Sequence, residues 1–541
     1  MSLTRRDVLA AMLGAPLAAE ACKKKKRVPD GELAFRPEVL GHRVRDGAAV
    51  QIPGDKWERA RVVIVGAGVA GLSAAWTLLD EGVEDFVIVE LESEAGGTAR
   101  SGKNATSGYP WGAHYITAPM QHNADLIGLL TRLGLVTGTT KDGEPTFREE
   151  HLCREPQERV FADGAWHDGL YLHAGESDHD RAQLVAFRKL IEDLAGARDE
   201  RGRRAFSVPV ASGFTSDAAR ALDGMTAAAW LDAQGITSPR VRWLVDYACR
   251  DDFGAKAEHT SAWAAVHYFA SRTRAPGVDP QPVLTWPEGN GYLVRRLLER
   301  VRPKLRPSLA AADIVPWERE GARGVDVACL GPPPEARGLR AERVIFAAPQ
   351  MVARVAIRPY REAPPPHIAR IRYGAWMVAN LTLRQRPKLE QFHGYASHML
   401  AWDNVLYDSP SLGYVVATHQ SGRDHGPTVL TYYYPLCDED AGAARRKLYG
   451  AGREEWVDVA LTDLSQAHPD IRDLVERADV VRWGHAMVRP DPGLFFGGAL
   501  AKAAEPFRGI HFAASDLSGL GLFEEAFFHG RRAALEALGR T

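Results

Sequence analysis

The stretch VVIVGAGVAGLSAAWTLLDEGVEDFVIVE, Val62 to Glu90, decides the fold. It reads as strand, glycine turn, helix and strand, and it ends on an acid. Gly66, Gly68 and Gly71 form G-x-G-x-x-G directly after the apolar run Val62-Val63-Ile64-Val65. The first glycine permits a tight turn, the second lets backbone approach a pyrophosphate, and the third lets the helix pack close to the strand. Amides at the helix start, with the positive end of its dipole, then hold phosphates. Glu90 closes the second strand about 20 residues after the last glycine, where an acid accepts hydrogen bonds from a ribose. The glycine triplet alone is a common turn. Strand, helix and terminal acid together make it a dinucleotide site.

The surrounding chain is long enough for two or three domains with large cores, at 541 residues. Its 67 basic and 69 acidic side chains leave a formal charge of -2, which offers no broad nucleic-acid-binding surface. The cysteines, at 22, 153, 249, 329 and 437, include no C-x-x-C pair, so they predict neither a disulfide framework nor a zinc site. No P-loop or H-E-x-x-H motif occurs, and no metal is expected. Beyond the first 30 residues no uninterrupted apolar run has bilayer length.

The N-terminus reads as a targeting segment. Thr4-Arg5-Arg6-Asp7 precedes a mildly apolar stretch, Val8 to Ala19, and Ala19-Glu20-Ala21 fits a small-residue cleavage site. The pattern is that of twin-arginine export, a route for folded proteins, and predicts a periplasmic location. The plainer alternative is a basic tail on a cytosolic protein. Cys22 offers a site for lipid attachment, though Ala19-Glu20-Ala21 matches a lipoprotein box poorly. The Lys23–Arg27 run is a second candidate for a peripheral membrane tether.

Pro29 to Trp57 is polar with scattered proline and glycine, and reads as a linker or an arm laid on the surface. Two distant segments belong with the dinucleotide unit. Arg343–Pro349 is a short apolar strand stopped by proline, and Gly509–Asp516 is a strand ending in a small-residue turn. The helical pattern Leu522 to Leu538 follows the latter. Between them, Arg181–Leu194 and Ser216–Ala233 read as helices, and Met377–Leu383 and Val429–Tyr434 as strands. In the last run Leu430, Tyr432 and Tyr434 point one way, Thr431 and Tyr433 the other.

Just after Glu90, Gly96-Gly97-Thr98-Ala99-Arg100 places a second glycine pair near the first, with an arginine able to give a phosphate a charge-assisted bond. Gly112-Ala113-His114-Tyr115 then offers a small-residue approach followed by a polar aromatic pair. With the Val62–Glu90 unit, the Val344–Pro349 strand and Phe512-Ala513-Ala514-Ser515-Asp516 before Glu524-Glu525-Ala526, these segments resemble the flavin-dependent amine oxidase superfamily. That group includes monoamine and polyamine oxidases, spermidine dehydrogenase, protoporphyrinogen oxidase and phytoene desaturases. Trp286-Pro287-Glu288-Gly289-Asn290-Gly291-Tyr292-Leu293 resembles its P-x-G-x-x-x-L element.

The resemblance implies an α/β protein with a discontinuous Rossmann-like FAD-binding domain and an inserted α+β substrate domain. Residues 60–120, 283–355 and 482–541 are expected to form the first, 121–282 and 356–481 the second. Residues 1–27 are the signal and tether, and 28–59 the arm. The FAD contacts it implies are Gly66, Gly68, Ala70, Gly71, Glu90, Gly96, Gly97, Thr98, Arg100, Gly112, Ala113, His114, Tyr115, Ala348, Asp516 and Phe523. It implies oxidation of a small organic substrate by hydride transfer, with oxygen or a redox partner as electron acceptor. Desaturation or isomerisation of an apolar isoprenoid-like molecule, and electron transfer without a small substrate, stay open. A nicotinamide dehydrogenase explains Val62–Glu90 but neither Gly96-Gly97 nor Asp516.

Two departures from the superfamily stand out. Where many members carry a lysine near the flavin, Gly374-Ala375-Trp376-Met377-Val378 puts Val378, with polar Asn380 two residues on. Aligned on Gly530, the position of a cage tyrosine is Leu522. Slow reaction with oxygen follows as an expectation.

His114 is the leading catalytic candidate, since histidine titrates near neutrality; the alternative is a hydrogen-bonded structural histidine. Trp376, Trp483 and Tyr432–Tyr434 are candidate pocket aromatics. Asp251 and Asp252 are candidate amine ligands. Adjacent side chains rarely share a face, so one at most is expected to point inward, and capping of a helix start is the alternative role. His259 and His267 lack a third ligand at metal spacing.

Overall fold

The computed structural model describes residues 28–540 apart from 36, 48–49, 276, 279, 320, 389–399 and 439. The expected export signal, Cys22 and the Lys23–Arg27 run lie outside the described residues.

Val62 to Val65 is central because its side chains are apolar on both faces. Val62 and Ile64 enter one core cluster, with Leu72 and Leu78 of the helix Val69–Asp80. Val63 and Val65 enter a second, with Val344 and Phe346. A strand buried on both faces suits the middle of a parallel sheet. Trp57–Val65 pairs in parallel with Phe86–Val89 on one side and Ala336–Phe346 on the other. The latter strand forks. Its first half pairs antiparallel with Ala322–Leu330, and Val344 to Phe346 pair in parallel with Ile510–Phe512. Three separate stretches of chain, 57–89, 305–346 and 510–512, thus build one seven-stranded sheet.

The C-terminal helix Phe523–Ala537 covers the Val69–Asp80 helix. The two cross so closely that a Cβ at Gly530 would lie 2.1 Å from the Ala70 carbonyl oxygen.

The second sheet runs in the order Val475–Arg489, Arg372–Leu383, Thr428–Pro435, Tyr414–Val416, Asp403–Leu406, Glu158–Ala162, Ala165–Asp168. Alternation along Thr428–Pro435 is as the sequence reads. Leu430, Tyr432 and Tyr434 face one cluster, Val429 and Tyr433 the other. Val475–Arg489 continues past 482, the expected start of the last FAD-domain segment, because it pairs with Arg372–Leu383 from Val475 to Arg489.

A helical layer packs beside this sheet. Asp178–Gly196 starts on a capping box between Ser177 and Asp180. Pro239–Phe253 starts with Ser238 as cap and Pro239 at its first position, and ends on Gly254 at φ +59°. The single helix read over Ser216–Ala233 is two, Asp217–Asp223 and Ala227–Ala233. Gly224 ends the first, and the Thr226 hydroxyl accepts from Ala229 N at 3.2 Å to start the second. Among the described residues no helix is long and apolar enough to cross a membrane.

The arm is anchored. Ala478 N donates to Asp30 O (2.7 Å), Val480 N to Glu32 O (2.9 Å) and Ala34 N to Val480 O (2.8 Å). It also holds a helix the sequence reading lacked, Pro37–Arg45, whose Leu40 and Val44 pack on Ala310, Ala312 and Leu330.

Candidate active site

The glycine turn has the geometry its residues dictate. Gly66 sits at φ +100°, and a Cβ there would meet Ala347 O at 2.9 Å. At Gly71 a Cβ would lie 1.9 Å from Gly66 O, so the helix abuts the turn through backbone alone. At Gly68 the nearest atom to a Cβ is Gly97 Cα at 4.0 Å. Gly96 is drawn alongside by its N–H donating to Ala67 O at 2.8 Å. The two glycine motifs, far from identical in sequence context, become one bare backbone surface at the start of the Val69–Asp80 helix. Ala70 lies in the first turn of that helix and is buried.

Glu90 is buried and braces this surface. Its carboxylate accepts from Ala67 N at 2.6 Å and from Glu92 N at 2.9 Å, while burial pushes its pKa up. Arg100 is 2% exposed. Its Nε donates to Gly97 O at 3.1 Å, and its guanidinium lies 3.5 Å from Glu92 and 3.8 Å from the Phe35 ring centroid.

Ala348 and Asp516 follow the C-terminal ends of two parallel strands, the place where ligands meet open α/β sheets. The Asp516 carboxylate accepts from Gln350 N at 2.8 Å and from the Tyr373 hydroxyl. Burial raises its pKa. Four polar atoms around this surface are buried without a hydrogen-bond partner: Arg100 Nη1, Asp516 Oδ1, and both polar atoms of the Gln350 amide. Buried polar groups are ordinarily paired, so a bare backbone turn ringed by unpaired donors and acceptors fits a polar dinucleotide.

A cavity opens beyond Thr98, which is exposed, and runs along Gly112–Ala118. That strip is held rigidly by its carbonyls. Trp483 Nε1 donates to Trp111 O (2.7 Å), the Tyr433 hydroxyl to Gly112 O (2.8 Å), Thr285 Oγ1 to His114 O (2.8 Å) and Asn290 Nδ2 to Tyr115 O (2.9 Å). Trp376, Val378, Tyr433 and Trp483 of the second sheet form another wall, and Leu522, Phe523 and Glu524 a third. Val378 and Leu522, the departures from the superfamily pattern, both line the cavity. Asn380 does not. Its amide donates to Pro110 O (3.0 Å) and accepts from Thr431 (2.7 Å). Tyr432 and Tyr434 are also absent from the cavity, because strand alternation turns them to the far face, where Tyr432 donates to Asp463 at 2.8 Å.

His114 sits among the rings of Tyr433 (4.9 Å), Tyr115 (5.1 Å) and Trp402 (5.4 Å). Burial lowers its pKa to about 4, so it is neutral at pH 7 and acts as a hydrogen-bonding group or proton acceptor, outside the ordinary titration range of histidine.

Asp251 and Asp252 differ most from expectation. They lie in the last turn of Pro239–Phe253, an end where the helix dipole disfavours acids, and both line the cavity. Asp252 accepts from Arg272 Nη2 at 3.2 and 3.3 Å, and the same nitrogen donates to the Tyr115 hydroxyl at 3.0 Å. Asp251 keeps partial exposure in the cavity. Burial first, then repulsion from Asp252, push its pKa up to about 7. Burial likewise brings Glu524 to about 7. Three carboxyl side chains therefore face one guanidinium in the cavity wall. His267 Nε2 donates to Ser207 O (3.0 Å), His259 is exposed, and no metal-holding group of three ligands occurs among the described residues.

Arg272, Glu524, Gln350 and Asn290 were not legible as site residues. Glu524 belonged to a recognised motif, and Gln350 follows the Val344–Pro349 strand, but nothing in the sequence aims Arg272 at Asp252.

A family model described as flavin containing amine oxidoreductase matches residues 69–538. Among solved structures, putrescine oxidase bound to putrescine shares 17% identity at a TM-score of 0.64, over 90% of this chain and 100% of that one. Cyclohexylamine oxidase from Brevibacterium oxydans IH-35A shares 18% at 0.61, over 89% and 99%. A CLA-producing fatty acid isomerase from P. acnes shares 14% at 0.59, over 89% and 98%. These likenesses show the shared fold.

Proposed function

The chain belongs to the flavin-containing amine oxidoreductase family and is an FAD-dependent oxidoreductase, and from that premise we propose that it oxidises a small cationic amine at the carbon next to nitrogen. One observation carries the choice: Asp251, a carboxyl with accessible surface in the cavity and with no cation bonded to it among the described residues, whereas the neighbouring Asp252 is held by Arg272. Arg272 is already engaged by Asp252 and Tyr115, so the cavity's surplus charge is negative and favours an ammonium over a carboxylate.

FAD, when bound, accepts the two electrons as hydride. We assign its phosphates to the amides at Gly66–Gly71 with Gly96, Gly97 and Arg100, its ribose to Glu90, and the parts between to Ala348, Gln350 and Asp516. Thr98, Gly112, Ala113, His114, Tyr115 and Phe523 frame the reacting end. Asp251 attracts the ammonium and takes up its proton, since only a neutral amine gives up hydride readily. Trp376, Tyr433 and Trp483 exclude water and hold the carbon chain. His114, neutral, orients by hydrogen bonding.

A second reading, desaturation or isomerisation of an apolar molecule, is favoured by the Trp376–Val378–Leu522 wall; Asp251 and Glu524 beside it count against. The electron acceptor is a redox partner in preference to oxygen, on the strength of Val378 in place of lysine. Export by the twin-arginine route, with a tether at Cys22 or Lys23–Arg27, remains part of the proposal on sequence grounds.

The deciding experiment is an anaerobic visible spectrum of the purified protein. Bleaching of the flavin band by diamines or monoamines supports amine oxidation. Bleaching by alkenes alone, or by nothing but a reduced partner protein, refutes it.

A further inference from the structure

The family match begins at residue 69, so the anchored arm lies before it. Its register is specific. Gly31 sits at φ +143°, and a Cβ there would lie 2.0 Å from Ala478 O, so only glycine lets the arm lie along Val475–Arg489. Glu32 N donates to Asp479 Oδ1 at 2.9 Å, and Arg477 closes on Glu32 at 3.3 Å. The extended first part of the arm then reaches Phe35, a non-glycine residue at φ +54°. That conformation is unfavourable for a residue of this shape and persists only where surrounding contacts compensate. Glycine would fit the backbone without strain, so the ring is the reason for phenylalanine. It covers the Arg100 guanidinium at 3.8 Å and meets Trp111 edge-on at 5.4 Å.

We propose that residues 29–35 are a strap that retains FAD, with Phe35 as a positioning residue acting through Arg100. The strap rests on the assignment of Arg100 to the cofactor. Arg100 is gripped from below by Gly97 O, which accepts from its Nε, and by Glu92, 3.5 Å from its Nη1; that buried Nη1 has no hydrogen-bond partner. The Phe35 face closes one side at 3.8 Å, with the Trp483 ring centroid 5.3 Å from the guanidinium, fixing it by a cation–π contact and keeping water from the glycine pair it braces. Lifting the arm frees the arginine to hydrate and swing, and the cofactor leaves faster. The substrate cavity, which the arm does not line, is untouched.

The test measures the rate of FAD release from the full-length holoprotein by flavin fluorescence, beside the melting temperature of the apoprotein. Phe35→Ala and Gly31→Ala are each expected to speed release by about fivefold or more. Phe35→Tyr, which keeps the ring, is expected to release at the wild-type rate, and Phe35→Leu at the alanine rate. Arg100→Lys in combination with Phe35→Ala is expected to add no further loss to Arg100→Lys alone. Unchanged release in Phe35→Ala, or leucine serving as well as phenylalanine, overturns the strap. If Arg100→Lys itself leaves release unchanged, the Arg100 assignment falls and the strap with it; if it speeds release while Phe35→Ala does not, only the strap falls.

Discussion

Replacing Asp251 by asparagine removes charge and keeps shape. The carboxyl faces the cavity from the last helical turn before Gly254, and its pKa is pushed up to about 7 by burial and by Asp252. A hydrogen bond to a charged partner contributes roughly 1.5–3 kcal/mol. At about 1.4 kcal/mol per decade, Asp251→Asn should lower kcat/KM for an amine on the order of 10- to 150-fold. The loss should fall mainly on KM if Asp251 only attracts the ammonium, and on both constants if it also takes the proton. The pH dependence is more diagnostic. In the wild type kcat/KM should rise with pH through about 7 as Asp251 ionises, and the variant should lack that rise. Stability runs the other way. The unfolded carboxyl loses its proton near 4 and the folded one near 7, so between those values the folded state holds more protons and the wild type loses stability as pH rises. Asp251→Asn should therefore melt higher than wild type at pH 8 and no differently at pH 4. Steady-state kinetics from pH 5 to 9 and thermal melts at the two pH values are the assays. An unchanged KM for amines with an unchanged pH profile would refute the cation-binding argument.

Gly71→Ala forces a Cβ to within 1.9 Å of the Gly66 carbonyl oxygen, a backbone atom, and no side-chain rotation moves the Cβ away. The purified variant should lose its flavin absorbance and about 1–3 kcal/mol of stability in urea titration. His114→Ala should slow anaerobic flavin reduction by roughly tenfold or more, equally from pH 5.5 to 8.5, because the histidine is already neutral across that range. A break near pH 6.5 in the wild-type reduction rate, abolished in the variant, would contradict a histidine held neutral by burial. Val378→Lys places a cation in the cavity wall where many members of the superfamily are expected to carry one. Reoxidation of the reduced protein by oxygen should speed up by roughly tenfold or more, measured by stopped-flow absorbance.

The cofactor half of the molecule was readable because its chemistry is written in local signals. Gly66 and Gly71 are demanded by a turn and a contact within the same thirty-residue unit, and Val62–Val65 announces a strand buried on both faces. The substrate half was not, because its parts meet only in space. Asp251 and Asp252 resemble ordinary helix acids until the sequence-distant Arg272 is seen to engage one and leave the other to the cavity. Facing rules for neighbours on a mid-helix surface put at most one of them inward. They fail here because both acids sit in the last turn before Gly254 ends the helix, and both line the cavity. Tyr433 was separable from Tyr432 and Tyr434 by alternation, but only the sheet's placement tells which face is cavity and which is core. The same distinction bears on Phe35. A phenylalanine in a polar arm carries no signal of its own. Its meaning comes from a backbone held at φ +54° and an arginine 65 positions later under its ring. A residue kept in an unfavourable conformation by its contacts with Arg100 and Trp111 is where a substitution should reveal function. For that reason the arm, which does not line the substrate cavity, is the most discriminating place to perturb cofactor retention independently of substrate oxidation.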